Sequence, residues 1–212
     1  MRKRLNIVML GPQGSGKGTQ AGMISKKFGI PHISTGDIFR EMEKKNTVLG
    51  RKVRSLIDSG KLVPDEVTDQ IARERLKRKD AARGFVLDGY PRDLEQAAAL
   101  HTLQKITHCI VIDITDRESM KRIGARRVCS ACAANYNTIY IRPKKAGVCD
   151  KCGGKLAMRD DDRPAAVRLR LRKYHEATEP LIRFYEKDGV LVRINGAQSI
   201  AKVFSDIKKK II

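Results

Sequence analysis

Leu5-Asn6-Ile7-Val8-Met9-Leu10 runs straight into Gly11-Pro12-Gln13-Gly14-Ser15-Gly16-Lys17-Gly18-Thr19, and a helical stretch follows to about Phe28. The first six residues form a short, nearly continuous apolar run, the pattern of a parallel strand covered on both faces. The glycines then let successive backbone N–H groups turn inward on phosphate oxygens. The positive end of the following helix adds to that pull, and Lys17 reaches the outer phosphates. An ordinary glycine-rich turn would need no such sequence of strand, loop and helix. The order predicts phosphate binding. One position departs from the general phosphate-loop pattern: Gly18 fills the Ser/Thr slot, and the hydroxyl comes one residue later, at Thr19.

Working outward, apolar runs recur at Phe85-Val86-Leu87, Cys109 to Ile114 and Val190 to Ile194. Amphipathic helical stretches lie between and after them, at about 65–79, 93–104, 116–126, 165–187 and 198–210. Strands alternating with helices predict an α/β fold with a parallel sheet. Two stretches break the alternation. Residues 35–63 read as two short helices hinged near Asn46 to Gly50 and closed by Gly60. Residues 127–162 are rich in Cys, Gly, Asn and Pro and have no helical period. Both read as insertions into a core made of 1–34, 64–126 and 163–212.

The chain has 212 residues, enough for one well-buried domain with sizeable inserts. With 44 Lys and Arg against 24 Asp and Glu, its formal charge is +20. Such a charge points toward polyanions: nucleic acid, membrane surface or phosphorylated substrates. It is not a basic tail. Residues 1–60 carry +8, 61–120 carry −1, 121–163 carry +7 and 164–212 carry +6. No apolar run approaches the length that spans a bilayer. Arg2-Lys3-Arg4 before Leu5 mimics an export signal, but the apolar stretch is short and opens into the glycine-rich loop. A cytoplasmic, reducing location is therefore expected, and the five cysteines are not expected to form disulfides.

Cys129-x2-Cys132 and Cys149-x2-Cys152 are separated by sixteen residues, a spacing that suits a four-thiolate zinc site. Four thiolates leave no position for substrate, so the metal would be structural, supplying folding free energy to an insert too small for a core of its own. Cys109 lies inside an apolar run and reads as a core residue. Asp88 ends an apolar strand, which together with the phosphate loop suits a carboxylate that holds Mg²⁺ directly or through water. Arginines border the loops and inserts, and their guanidinium forks match phosphate oxygens. His32, His101, His108 and His175 lack ligand spacing and receive no role.

Several separated motifs then occur in a specific order: Gly14-x-Gly16-Lys17-Gly18-Thr19, Ser34-Thr35-Gly36-Asp37-x2-Arg40, Gly60-Lys61-Leu62-Val63, Asp88-Gly89-Tyr90-Pro91-Arg92 with Gln96, Arg126-Arg127-Val128, and Arg159-Asp160-Asp161 leading to Arg170. In these the chain resembles, over essentially its whole length, the long-form, zinc-containing adenylate kinases within the nucleoside monophosphate kinase family. That family uses the Gly18-Thr19 order. The resemblance implies a P-loop NTPase-type parallel sheet flanked by helices, with 35–63 closing over AMP and 127–162 as a zinc-bearing lid over ATP. It implies that Gly14, Ser15, Gly16, Lys17, Gly18 and Thr19 hold donor phosphates, with Arg122, Arg126 and the backbone near Gln198 also on the ATP side. Thr35, Arg40, Lys61, Val63, Gly89, Arg92 and Gln96 would form the AMP side. Arg159 and Arg170 would swing onto the transferring phosphoryl group, and Lys17, Arg92, Arg126, Arg159 and Arg170 would carry catalysis. Gln13 stands where proline is common, Asp93 where Thr is common, and Asn135 and Asn137 replace more typical lid residues.

The implied reaction is ATP + AMP ⇌ 2 ADP, with Mg²⁺ accompanying ATP and zinc structural, in a monomer with no membrane or specific nucleic-acid partner. AMP phosphate is already largely a dianion near neutral pH and needs no general base, so positioning and cations do the catalysis. A UMP/CMP kinase is the near alternative; Thr35 and the long cysteine-bearing insert favour AMP. A zinc-ribbon, nucleic-acid-binding ATPase is the distant one. The chain has 5% aromatic residues, no Trp and no basic-aromatic interleaving, which argues against it.

Overall fold

A computed structural model describes residues 4–44, 51, 55 and 64–211. Five parallel strands form the main sheet: β1 (Leu5–Leu10), β2 (His32–Ser34), β3 (Gly84–Asp88), β4 (His108–Asp113) and, last in the chain, β8 (Leu191–Asn195), in the order β2-β3-β1-β4-β8. β1 is central. It pairs Ile7 with Val86 on one side and Val8 with Cys109 on the other.

Helices cover both faces, and strand periodicity assigns the residues between them. Leu5, Ile7 and Met9 point to the layer formed by α1 (Lys17–Phe28) and the C-terminal helix α8 (Ile200–Ile211), meeting Ile24, Val203 and Ile207. Val8 and Leu10 point to the opposite layer, where α3 (Asp65–Leu76), α4 (Leu94–Leu103) and α7 (Leu181–Lys187) contribute Leu76, Leu100 and Leu181. This two-sided burial explains why β1 is apolar without alternation. α2 (Thr35–Lys44) follows β2 directly, and α5 (Asp116–Gly124) follows β4. Of the second short helix expected beyond Asn46 to Gly50, only Arg51 and Ser55 are among the described residues, and both are helical.

Residues 126–157 form a separate antiparallel sheet, β6-β5-β7, from β5 (Arg126–Cys129), β6 (Asn135–Asn137) and β7 (Leu156–Ala157). Its apolar cluster is small: Cys129, Tyr136, Cys149 and Leu156. Thus β5 begins at Arg126, where the sequence pattern carried a helix to that residue; α5 ends at Gly124.

The single long helix expected over 165–187 is a further correction. The structure has α6 (Pro164–Lys173), a wide turn at Tyr174–Thr178 and then α7. Pro180 has no N–H to continue the ladder, and the Glu179 N–H instead donates to the Tyr174 carbonyl, five residues back, at 2.8 Å. Strand β2 was not anticipated at all.

Candidate active site

The C-terminal ends of β1, β2 and β3 open into a cleft of about 1480 Å³. Its floor is the loop after β1. Gly11 has φ +137, and a β-carbon there would lie 2.5 Å from the Ile112 carbonyl oxygen on β4, so only glycine can make this exit. Ser119 Oγ donates to the Gln13 carbonyl, and Arg122 Nη1 donates to the Gly14 carbonyl at 3.4 Å, pinning the loop to α5. Lys17 Nζ donates to the carbonyls of Gly11, at 2.7 Å, and Pro12, at 2.9 Å. Burial lowers its pKa to about 8, helped by the positive charges of Arg170, Arg92 and Arg126 and opposed by Asp88.

Asp88 ends β3 beside the start of α1. A β-carbon on Gly18 would sit 3.1 Å from Asp88 Oδ2, so a Ser or Thr in that slot would press on the carboxylate. Glycine there and Thr19 next to it leave a hydroxyl and a carboxylate as hard oxygen donors, a set that fits Mg²⁺. His32 Nε2 is buried 3.6 Å from Asp88 Oδ2.

Across the cleft, Thr35 is fully buried behind the lining and its Oγ1 donates to the Gly89 carbonyl at 2.9 Å. Arg92 Nε donates to the same carbonyl at 2.8 Å, while the Arg92 N–H donates to Gln96 Oε1 at 2.8 Å. Asp93, in place of the commoner Thr, caps α4 by accepting from the Gln96 N–H at 2.8 Å. The Arg40 guanidinium folds over Gly36 and pairs with Asp37, whose carboxyl it holds below the usual carboxylate range against the opposing effect of burial.

Three arginines converge between these walls, positioned by neighbouring acids and amides. Arg126 donates in bidentate fashion to Asp162, a carboxylate only 2% exposed. Arg170 Nη1 donates to Asp161 Oδ2 at 2.9 Å and to the Asp161 carbonyl at 3.0 Å, and lies 3.8 Å from Asp162 Oδ1. Arg159 Nη2 donates to Asn135 Oδ1 at 3.1 Å. Burial and the charges of Arg126 and Arg40 lower the Arg159 pKa to about 10, so it remains a cation at neutral pH. Gln13 Nε2 donates to the Arg170 carbonyl at 3.3 Å, joining loop to arginine helix where a proline could not.

Arg122 is tied on three sides: Nε to Glu118 Oε1 at 2.7 Å, Nη2 to the Gly196 carbonyl at 2.9 Å, and its guanidinium 5.2 Å from the centre of the Tyr140 ring. Tyr140, which the sequence pattern did not single out, donates to Glu118 Oε1 at 2.7 Å and is 48% exposed. With Arg122 and Gln198 it lines a side hollow of the cleft. An aromatic residue four positions after Tyr136 was the available signal. Asp161 and Asp162 were also missed as positioning groups.

Cys129, Cys132, Cys149 and Cys152 bring their sulfurs within 4.8 Å of one another. The 129–152 and 132–149 sulfur pairs are 3.5 and 3.6 Å apart, near the ~3.8 Å edge of a tetrahedron with ~2.3 Å Zn–S bonds. A β-carbon on Gly154 would fall 2.8 Å from Cys129 Sγ, so the cradle is closed around the sulfurs. Backbone N–H groups of Cys132 and Lys151 point at Cys129 and Cys149 Sγ. The Tyr136 hydroxyl lowers the Cys149 pKa to about 6, while hydrogen bonding among the sulfurs raises that of Cys152. The donor set fits zinc. No disulfide joins the cysteines.

Gly14 to Thr19, Arg40, Asp88, Gly89, Arg92, Gln96, Arg122, Arg126, Arg159, Arg170 and Gln198 therefore line one cleft, with Thr35 directly behind it. Lys61 and Val63 lie outside the described residues. Among the described residues, no helix is long and apolar enough to cross a membrane.

A family model described as adenylate kinase matches residues 9–190. The chain is 46% identical to an adenylate kinase of Treponema denticola, over 97% of this chain and 99% of that one. It is 47% identical to one from Archaeoglobus fulgidus, covering 96% of each. It is 48% identical to one from Bacillus licheniformis, covering 97% of each.

Proposed function

The chain belongs to the adenylate kinase family, and from that premise we propose that it transfers a phosphoryl group reversibly from ATP to AMP, giving two ADP. The observation that carries the reading is the convergence of Lys17, Arg92, Arg126, Arg159 and Arg170 on the space between phosphate loop and Thr35–Gly89 wall. Two nucleotide anions repel each other, and an in-line transfer between them requires cations held in place before the reaction.

Gly14 to Thr19 cradle the donor phosphates with backbone N–H groups, and Lys17 reaches the outer ones. Arg122, through its contacts with Gly14, Gly196 and Tyr140, frames the donor base beside Gln198. Arg40, Gly89, Arg92 and Gln96 orient the acceptor, with Thr35, Lys61 and Val63 toward its base. Arg126, Arg159 and Arg170 stabilise charge on the transferring group. Thr19 and Asp88 would hold Mg²⁺ with ATP, and the ion would neutralise phosphate charge. Cys129, Cys132, Cys149 and Cys152 would hold zinc, which would tie the small sheet together.

Residues 35–63 and 127–162 act as lobes closing over AMP and ATP, completing the site when water is excluded. The protein works as a cytoplasmic monomer, and the reaction calls on no specific nucleic-acid partner. A coupled assay with AMP, UMP, CMP and GMP at equal concentration tests the reading. Mg-dependent ADP formation with AMP as the preferred acceptor is expected. Preference for UMP or CMP would make it a pyrimidine enzyme, and hydrolysis without any acceptor would remove the kinase reading.

A further inference from the structure

The cleft uses few of the 44 basic residues, and the fold sends another group of them to the far end of the sheet. Because β1 and β8 are parallel, the helices that follow them, α1 and α8, both run back and end at the strands' N-terminal edge. Leu5, Ile24, Ile207 and Ile211 meet there in one apolar cluster. Around it stand Arg4, Lys26, Lys27, Lys208, Lys209 and Lys210, all exposed except the half-buried Lys208. Lysines near a helix C-terminus complement its dipole, but one or two would serve that purpose.

The two helices bring a single acid near this rim. α1 contains none, and Asp206 of α8 is hydrogen-bonded by Lys202 and Gln198 and lies within electrostatic range of Lys209 alone among the six. None of the six forms an ion pair among the described residues; Arg4 bonds Gln104, and Lys208 lies over the Phe204 ring. The large apolar side chains that are exposed among the described residues, including Tyr140, Met158 and Leu169, belong to other parts of the surface and none to this rim. Among the described residues, the rim thus offers exposed point charges with no exposed large apolar anchor for a bilayer and no exposed aromatic for base recognition.

We propose that this rim is a second binding surface, independent of catalysis, for the phosphate backbone of nucleic acid without regard to sequence. Charge complementarity carries the assignment. A duplex presents about one charge per 1.7 Å of axis and releases counterions when lysines neutralise it. Lysine-dominated contact without base recognition gives this salt-dependent, sequence-independent attachment. It would tether an enzyme of nucleotide exchange to a polymer while leaving the cleft, at the opposite strand ends, open.

The test is fluorescence anisotropy of a labelled DNA duplex of about 20 base pairs, titrated with the full chain at about 50 and 200 mM salt. Lys26→Gln, Lys27→Gln, Lys209→Gln and Lys210→Gln together are expected to weaken binding by more than about tenfold and to flatten the salt slope by about 0.9 for each phosphate no longer neutralised. Kinase activity of this variant should match the parent, which also reports that it is folded. Lys144→Gln, Lys145→Gln, Lys151→Gln and Lys155→Gln remove the same charge from the small sheet and should change affinity by less than about threefold. Equal losses in the two variants would reduce the effect to net charge and overturn the proposal. So would absence of duplex binding, competition by saturating ATP and AMP, or binding to phosphatidylserine vesicles in place of the duplex.

Discussion

Asp162 is a buried carboxylate whose removal separates positioning from chemistry. It accepts two hydrogen bonds from Arg126 and lies 3.8 Å from Arg170, yet it does not line the cleft itself. In Asp162→Ala both Arg126 bonds are lost and a buried charge disappears with them. Charge-assisted bonds contribute about 1.5–3 kcal/mol each. Arg126 is 21% exposed and recovers part of that by hydration, while removal of the buried carboxylate relieves its own desolvation. The net cost is about 2–3 kcal/mol. At about 2–4 °C per kcal/mol for a chain of this size, Tm falls by about 4–12 °C. Freed of its anchor, Arg126 misplaces its guanidinium, and an error of about 1 Å costs about a hundredfold in kcat. Asp162→Asn, which keeps the volume and one acceptor, should recover part of both losses. Steady-state kinetics with ATP and AMP alongside thermal unfolding decide the matter. A variant with lowered Tm but parental kcat would refute the idea that Asp162 orients the arginine.

Three further outcomes are expected. Lys17, with its pKa lowered to about 8, is charged below that pH and loses charge above it; if it binds donor phosphates as proposed, the KM for ATP should rise above about pH 8. Lys17→Ala should abolish that pH dependence and lower kcat by a factor of about 10³. Native mass spectrometry should find one zinc per chain, and Cys149→Ser should release it and lower Tm by several degrees, since the small sheet has little apolar core of its own. His175 is held by Glu179 at 2.7 Å and Asp116 at 3.0 Å, which raise its pKa; its stabilisation is complete below about pH 6.5 and fades as pH rises through the folded pKa. His175 is half-exposed, so the contribution is under about 1 kcal/mol. His175→Ala should remove the difference in denaturant midpoint between pH 6 and pH 8 by that amount.

The central strand and its loop were legible because burial on both faces leaves an uninterrupted apolar run and the turn admits only glycine at Gly11. The clustering of the cysteine pairs was legible because their fixed spacing suits four sulfurs drawn to one point. β2 was not. It has three residues, only Ile33 is deeply buried, and its hydrogen bonds go to β3, more than fifty residues away. Pro180 did mark the break between α6 and α7, but helical periodicity on both sides concealed it. Asp160, Asp161 and Asp162 are indistinguishable in sequence. Only the turn they form exposes the first and buries the third. Tyr140 escaped notice because its partners, Glu118 and Arg122, lie on another element.

The two bonds from Lys17 to the Gly11 and Pro12 carbonyls bear on which anions the loop can retain. An incoming phosphate must compete with acceptors already in place at 2.7 and 2.9 Å, so its net gain is a difference between two sets of bonds. A small, singly anchored anion such as inorganic phosphate gains little from that exchange. A nucleotide polyphosphate engaging the backbone N–H groups and several cations together, as proposed, would gain enough to displace them. The loop's own carbonyls thus set a threshold of ligand charge and reach, which disfavours small inorganic anions without any contact dedicated to rejecting them.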